Sequence, residues 1–187
     1  LMIDFKNLIE DLKGLSNLTS IGGGLTISRN DLLQNLDGLE NINLIEGFMS
    51  INRNVALLNV DALSNINSVG FDLNINENQS LQNLDGLESL TSVGDDLIIE
   101  LNSSIQDLSG LSNLVNIEKD LWILENSSLN NLTGLEKLTT LNGNLRVERN
   151  ENLQNLNGLD NITSTNNDII ILSNSSLLTL NGLKISS

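Results

Sequence analysis

Leu81-Gln82-Asn83-Leu84-Asp85-Gly86-Leu87-Glu88-Ser89-Leu90-Thr91-Ser92-Val93-Gly94-Asp95-Asp96-Leu97-Ile98-Ile99-Glu100-Leu101-Asn102 is one unit of a repeat that runs through the chain. Its closing asparagine recurs at Asn30, Asn54, Asn78, Asn102, Asn126, Asn150 and Asn174, always 24 residues on, with no insertion or deletion. An apolar-x-apolar triplet precedes each one: Leu25-Thr26-Ile27, Met49-Ser50-Ile51, Leu73-Asn74-Ile75, Leu97-Ile98-Ile99, Leu121-Trp122-Ile123, Leu145-Arg146-Val147 and Ile169-Ile170-Ile171. A second column pairs a small residue with leucine, from Gly14-Leu15 and Gly38-Leu39 through Ala62-Leu63 to Gly182-Leu183. A fixed period of this length means that no unit buries its own apolar edge; each does so by stacking on the next. The chain therefore reads as a solenoid, one coil per repeat.

Within a coil the apolar positions are 33, 36, 39, 42, 45, 49 and 51, followed by Leu57 of the next. Only 49 and 51 have the spacing of two that marks a strand, with the outer members of the triplet facing inward and the middle one outward. The spacing of three elsewhere fits neither a strand nor a sustained 3.6-residue helix. It predicts extended or 3₁₀-like pieces joined by bends, with parallel pairing between equivalent positions of successive coils. At a strand spacing of roughly 4.8 Å, about seven coils make a rod on the order of 35 Å long. Each closing Asn faces a bend, where its amide can bond backbone groups of its own coil and stack on the Asn above and below. All seven are expected to be buried, which makes sequons such as Asn102-Ser103-Ser104 by-products of the ladder. Ala62 in the glycine column points to close packing rather than to a positive φ, which Ala disfavours.

The combined pattern, Leu81-x-x-Leu84-x-Gly86-Leu87-x-x-Leu90-x-x-Val93 followed by Leu97-x-Ile99-x-x-Asn102, resembles the receptor L domain. That family is a branch of the leucine-rich-repeat proteins, seen in the ligand-binding lobes of insulin and epidermal growth factor type receptors and in microbial and fungal surface proteins. The resemblance runs over nearly the whole chain and implies an all-β, right-handed, β-helix-like solenoid that serves as an extracellular recognition or adhesion module. The absence of Cys departs from the animal receptors and argues against a place in a receptor tyrosine kinase.

Composition narrows the function. Nine basic against 24 acidic residues give a net charge of −15, which repels nucleic acid and anionic membranes. With no His and no Cys, the usual neutral-pH base, the thiolate nucleophile and the commonest transition-metal ligands are missing, and no cofactor is expected. No apolar run approaches the roughly 18 residues that span a bilayer, and a few residues around Asp4 to Leu12 make the one candidate amphipathic helix. The opening Leu1-Met2-Ile3 lies in phase with the triplets and carries no signal-peptide pattern. Neither end has a polar cap, so residues 1–187 are expected to form a single solenoid domain cut from a longer protein. Uninterrupted coils leave no long loops to build a desolvated carboxylate pair, so catalysis, including polysaccharide cleavage, is not expected.

What remains for function is the outward face of the strands. In the first three coils it carries Thr26, Ser50 and Asn74; in the next four it carries Ile98, Trp122, Leu124, Arg146, Ile170 and Leu172. An outward Trp beside an Arg is the usual composition of an interface anchor. The expected occupant is a protein or carbohydrate at a cell surface, or a second copy of the chain. A covering loop, or a role as a stiff acidic spacer, is the alternative. Just before the strands, Asp72, Asp96 and Asp120 recur at coil spacing and form a weak candidate for Ca²⁺. A solvated acidic edge that keeps the rod soluble is the preferred reading of them, and no Asp-x-Asp-x-Asp-Gly loop supports the metal.

Overall fold

The computed structural model describes residues 1–4 and 9–184. It is a β-solenoid of about seven turns with almost no helix. Every triplet lies in a four-residue strand, from Leu25–Ser28 to Ile169–Leu172, and these strands with Met2–Ile3 form one eight-stranded parallel sheet. Pairing is in register at the repeat: Leu97 opposes Leu121, Ile98 opposes Trp122 and Ile99 opposes Ile123. Because the register equals the period, like stacks on like. The inward columns Leu25, Met49, Leu73, Leu97, Leu121, Leu145 and Ile27, Ile51, Ile75, Ile99, Ile123, Val147 are fully buried in one continuous core.

The opposite arc contains a second, six-stranded parallel sheet of two-residue strands, from Ser20–Ile21 to Thr140–Leu141. Each contributes one buried apolar residue, in order Ile21, Ile45, Val69, Val93, Ile117 and Leu141. In the following coil this position is Thr165, whose hydroxyl donates to the Asn167 carbonyl, and no strand forms there. Four coils turn through a 3₁₀ helix, at Lys13–Leu15, Asp61–Leu63, Asp85–Leu87 and Ser109–Leu111. Residues 5–8 of the candidate amphipathic segment lie outside the described residues, and Ile9 to Leu12 are irregular.

The asparagine ladder works differently from the expected own-coil bonding. Each side chain bridges to the preceding coil: Asn102 Nδ2 donates to the Ile75 carbonyl at 2.8 Å, and Asn102 Oδ1 accepts the Asn78 backbone N–H at 3.1 Å. The same pair of bonds recurs from Asn54 to Asn150, while the own-coil bond to the residue two before appears only at some rungs, such as Asn102 to the Glu100 carbonyl. Asn30 to Asn150 are fully buried. Asn174 is half-buried, which corrects the expectation for all seven, because no described coil stacks over its outer side.

Directly before each ladder Asn the chain adopts a left-handed conformation that sequence reading did not detect. Arg29, Arg53, Glu77, Leu101, Glu125, Arg149 and Ser173 all have φ between +55° and +57°. None is the Gly or Asn that this region prefers, and each costs roughly 1 kcal/mol or more. The kink is what swings the Asn inward, and the two buried bonds of each rung offset it.

The glycine column needs both explanations. A Cβ at Gly86 or Gly110 would stand 1.9 Å from the carbonyl oxygen of Val60 or Leu84, so close packing holds. Gly38, Gly134, Gly158 and Gly182 also have φ from +100° to +112°, so a positive φ holds as well, in the coils without a 3₁₀ turn. At Gly38 the freed N–H donates to both Glu40 carboxylate oxygens at 2.9 Å and holds that carboxyl below the usual carboxylate range.

Two substitution pairs check this account by chemical denaturation. Asn102→Leu orphans the Ile75 carbonyl and the Asn78 N–H and is expected to cost at least about 2 kcal/mol; Asn174→Leu, half in water, should cost clearly less. Equal losses would mean that the buried bonds do not carry the bends. Gly134→Ala adds a conformational penalty to the clash suffered by Gly110→Ala, and should be the more damaging of the two by about 1 kcal/mol.

Candidate functional site

Parallel in-register pairing turns the outward strand positions into two columns on a flat sheet. One runs Thr26, Ser50, Asn74, Ile98, Trp122, Arg146, Ile170; the other runs Ser28, Asn52, Asn76, Glu100, Leu124, Glu148, Leu172. The sheet thus brings Ile98, Trp122 and Arg146 side by side. All three are half-buried, Ile170 is 37% exposed and Leu172 52%. Leu124 faces the same way but is only 8% exposed, held between Glu100 and Glu148 on the flanking strands, so it offers little surface to a partner.

The Arg146 guanidinium carbon sits 5.9 Å from the centre of the Trp122 ring, within cation–π range. The same guanidinium is also held by Glu148, with Nε donating to Oε2 at 2.9 Å. Glu148, whose side chain is 3% exposed, also takes Arg149 at 3.0 Å. Two guanidinium groups neutralise this buried carboxylate, which would be costly alone. Trp122 and Arg146 are therefore held in place before any partner arrives, which reduces the side-chain ordering that binding requires. Sequence reading placed Arg146 on this face but had no means to find Glu148 as the residue that orients it.

Other charges on this side are paired across coils: Arg53 with Glu77 at 2.9 Å and Arg149 with Glu125 at 3.2 Å. Glu100 is the exception. Among the described residues its carboxylate joins no ion pair and accepts no hydrogen bond. Partial burial, with the nearby carboxylates of Glu125 and Glu77, pushes its pKa above the ordinary value against a smaller pull from Arg146.

The acidic edge has a structural role. Asp72 Oδ1 accepts the Asp96 N–H at 3.2 Å, Asp96 Oδ1 accepts the Asp120 N–H at 3.0 Å, and Asp120 Oδ1 accepts the Asn144 N–H at 2.7 Å. The carboxylates form a second, shorter ladder that binds one coil to the next, and Lys119 joins it through Asp95 at 2.9 Å. Among the described residues no three acidic groups converge as metal ligands would. A surface depression of about 310 Å³ lies among Gln79, Leu101, Glu125 and Arg149 beside the left-handed corner. Among the described residues, no helix is long and apolar enough to cross a membrane.

In comparison with known proteins, the family model of the Receptor L domain matches residues 1–73. No curated protein and no solved structure matches the chain. The family is one of non-enzymatic, binding-type domains, and the parallel solenoid described above is consistent with the match. The matched stretch covers the first two coils and most of the third, ending at Leu73, where the third coil's strand begins. The same period and strand register continue through Leu172, and the apolar strip, which begins at Ile98, lies beyond the matched residues.

The charge of Glu100 yields a test independent of any ligand. Its folded-state pKa is raised, so the ionised carboxylate withholds stability at neutral pH and returns it as pH falls through the folded value. Glu100→Gln should therefore melt above the wild type at neutral pH, with the advantage shrinking on acidification. A variant less stable than wild type at neutral pH would show that Glu100 has a stabilising partner.

Proposed function

We propose that the chain is a non-enzymatic ligand-binding module of a secreted or cell-surface protein, and that the strip of Ile98, Trp122, Arg146, Ile170 and Leu172 takes a protein ligand. One observation carries this reading: the single Trp of the chain stands on the outward face of the sheet, among apolar residues that, apart from Met2 on the first strand, fall in coils four to seven. The equivalent positions of coils one to three are small and polar. A stiff spacer would have no physical reason for that asymmetry, since each exposed apolar group costs solubility. The similarity of the first 73 residues to the Receptor L domain supports a binding role and an extracellular setting. The flatness of the strip suits a folded partner better than a small molecule, which needs concave walls.

The absence of His and Cys and the uninterrupted coils support a module without catalysis. The prearranged Trp122–Arg146–Glu148 group would serve as the central anchor, with Ile98 and Ile170 as its apolar flanks.

Trp122→Ala should weaken a partner recovered from a screen of surface proteins and glycans by about 2 kcal/mol, roughly thirtyfold in Kd. Fold stability should change little, because the side chain lies outside the core. Retained affinity, or unfolding with no change in association, would favour the spacer.

A further inference from the structure

Around the strip the charges almost cancel, and the remainder has a definite place. Arg53 meets Glu77, Arg149 meets Glu125 and Glu148, and Arg146 meets Glu148. Three guanidinium groups thus serve three of the four carboxylates around the strip, and among the described residues Glu100 is the one left over. It lies on the same strand as Ile98, two residues further along the same face, and directly opposes Leu124, two residues from Trp122. Its other in-register neighbour, Asn76, carries a buried Oδ1 with no hydrogen-bond partner. An unpaired carboxylate and an unpaired amide oxygen therefore stand side by side at the edge of an apolar strip. Leu124 separates them from the Arg146–Glu148 pair.

The carboxylate is an acceptor with no donor of its own, and it is answered by a donor that carries positive charge, while the buried Asn76 oxygen beside it offers no competing donor. A carboxylate held between Glu77 and Glu125 and partly withdrawn from water attracts a cation more strongly than one in open solvent, because the local field is negative and less well screened. The rest of the molecule adds to this field, with a net charge of −15 and the Asp72, Asp96 and Asp120 edge beside the strands. Ile98 and Trp122 supply the apolar surface that the stem of a lysine or arginine covers when its head reaches a carboxylate. From this juxtaposition we infer that the strip docks a basic segment of a protein, with one Lys or Arg seated on Glu100 and its apolar neighbours on Ile98 and Trp122. The inference rests on the strip being the partner face, and deepens that reading by assigning the partner's charge.

The chain's single Trp makes the test direct, since its fluorescence reports on the strip alone. The probes are two amidated pentapeptides of equal apolar content, Lys-Ile-Lys-Ile-Lys and Glu-Ile-Glu-Ile-Glu, titrated at low ionic strength. The basic peptide should shift Trp122 emission and bind, the acidic one should not, and Glu100→Gln should weaken the basic peptide about fivefold or more. Asp61→Asn, on the 3₁₀ arc away from the strip, removes the same charge and should stay within about twofold of wild type. Equal binding by wild type and Glu100→Gln, or equal losses in Glu100→Gln and Asp61→Asn, overturns the inference, the second by showing a diffuse field. Binding of the acidic peptide as tightly as the basic one overturns it as well. If a screened partner depends on Trp122 but not on Glu100, the assignment of charge falls while the partner face stands.

Discussion

The side-chain amide of asparagine, spanning from one coil to the next, is the interaction on which the rest of this molecule depends. An open coil has inward backbone groups at the end of each strand that neither sheet pairs. The ladder Asn satisfies two at once, donating to a carbonyl and accepting an N–H of the coil before it. Nothing shorter or longer reaches both, which is why the residue and its spacing are held through every repeat. The left-handed corner before it follows from this demand, and the strain there is local and repeated rather than scattered.

Asparagine is used for two further kinds of work. Asn35, Asn59, Asn83, Asn131 and Asn155 accept the N–H two residues on and shape the turns that lead into the Gly-Leu column. Asn41, Asn65 and Asn113 reach carbonyls of the preceding coil from the outside at 2.6 to 2.7 Å. A chain without disulfides thus ties neighbouring coils through side-chain amides at several points on the circumference. Each tie joins only adjacent units, so the stability of the rod is a sum of nearest-neighbour terms.

That regularity frees the outer sheet face. The inward columns cannot vary without opening cavities, whereas the outward ones contribute little to the core, so their composition can follow other demands. Against a nearly invariant interior, the change from Thr26, Ser50 and Asn74 to Ile98, Trp122 and Arg146 is the one large break in the pattern of the sheet. Glu148, buried beneath Arg146 and Arg149, converts two flexible side chains into a fixed surface.

By itself the sequence determined the period, the strands, their parallel register, the inward and outward columns and the place of the Asn ladder. All of these follow from spacing, and stacking in register carries a one-dimensional pattern directly into three dimensions. It also placed Ile98, Trp122, Arg146 and Ile170 on one face. Only the tertiary structure decided what depends on the distance between coils: that the ladder bonds backward rather than within its coil, that Leu124 is covered, and that the Asp72, Asp96 and Asp120 carboxylates hold backbone N–H groups. The left-handed column was hidden because Arg, Glu, Leu and Ser are not residues that announce a positive φ. The isolation of Glu100 was hidden for a related reason: whether a carboxylate is paired depends on which guanidinium groups the neighbouring coils bring within reach, and spacing alone carries no record of where long side chains end.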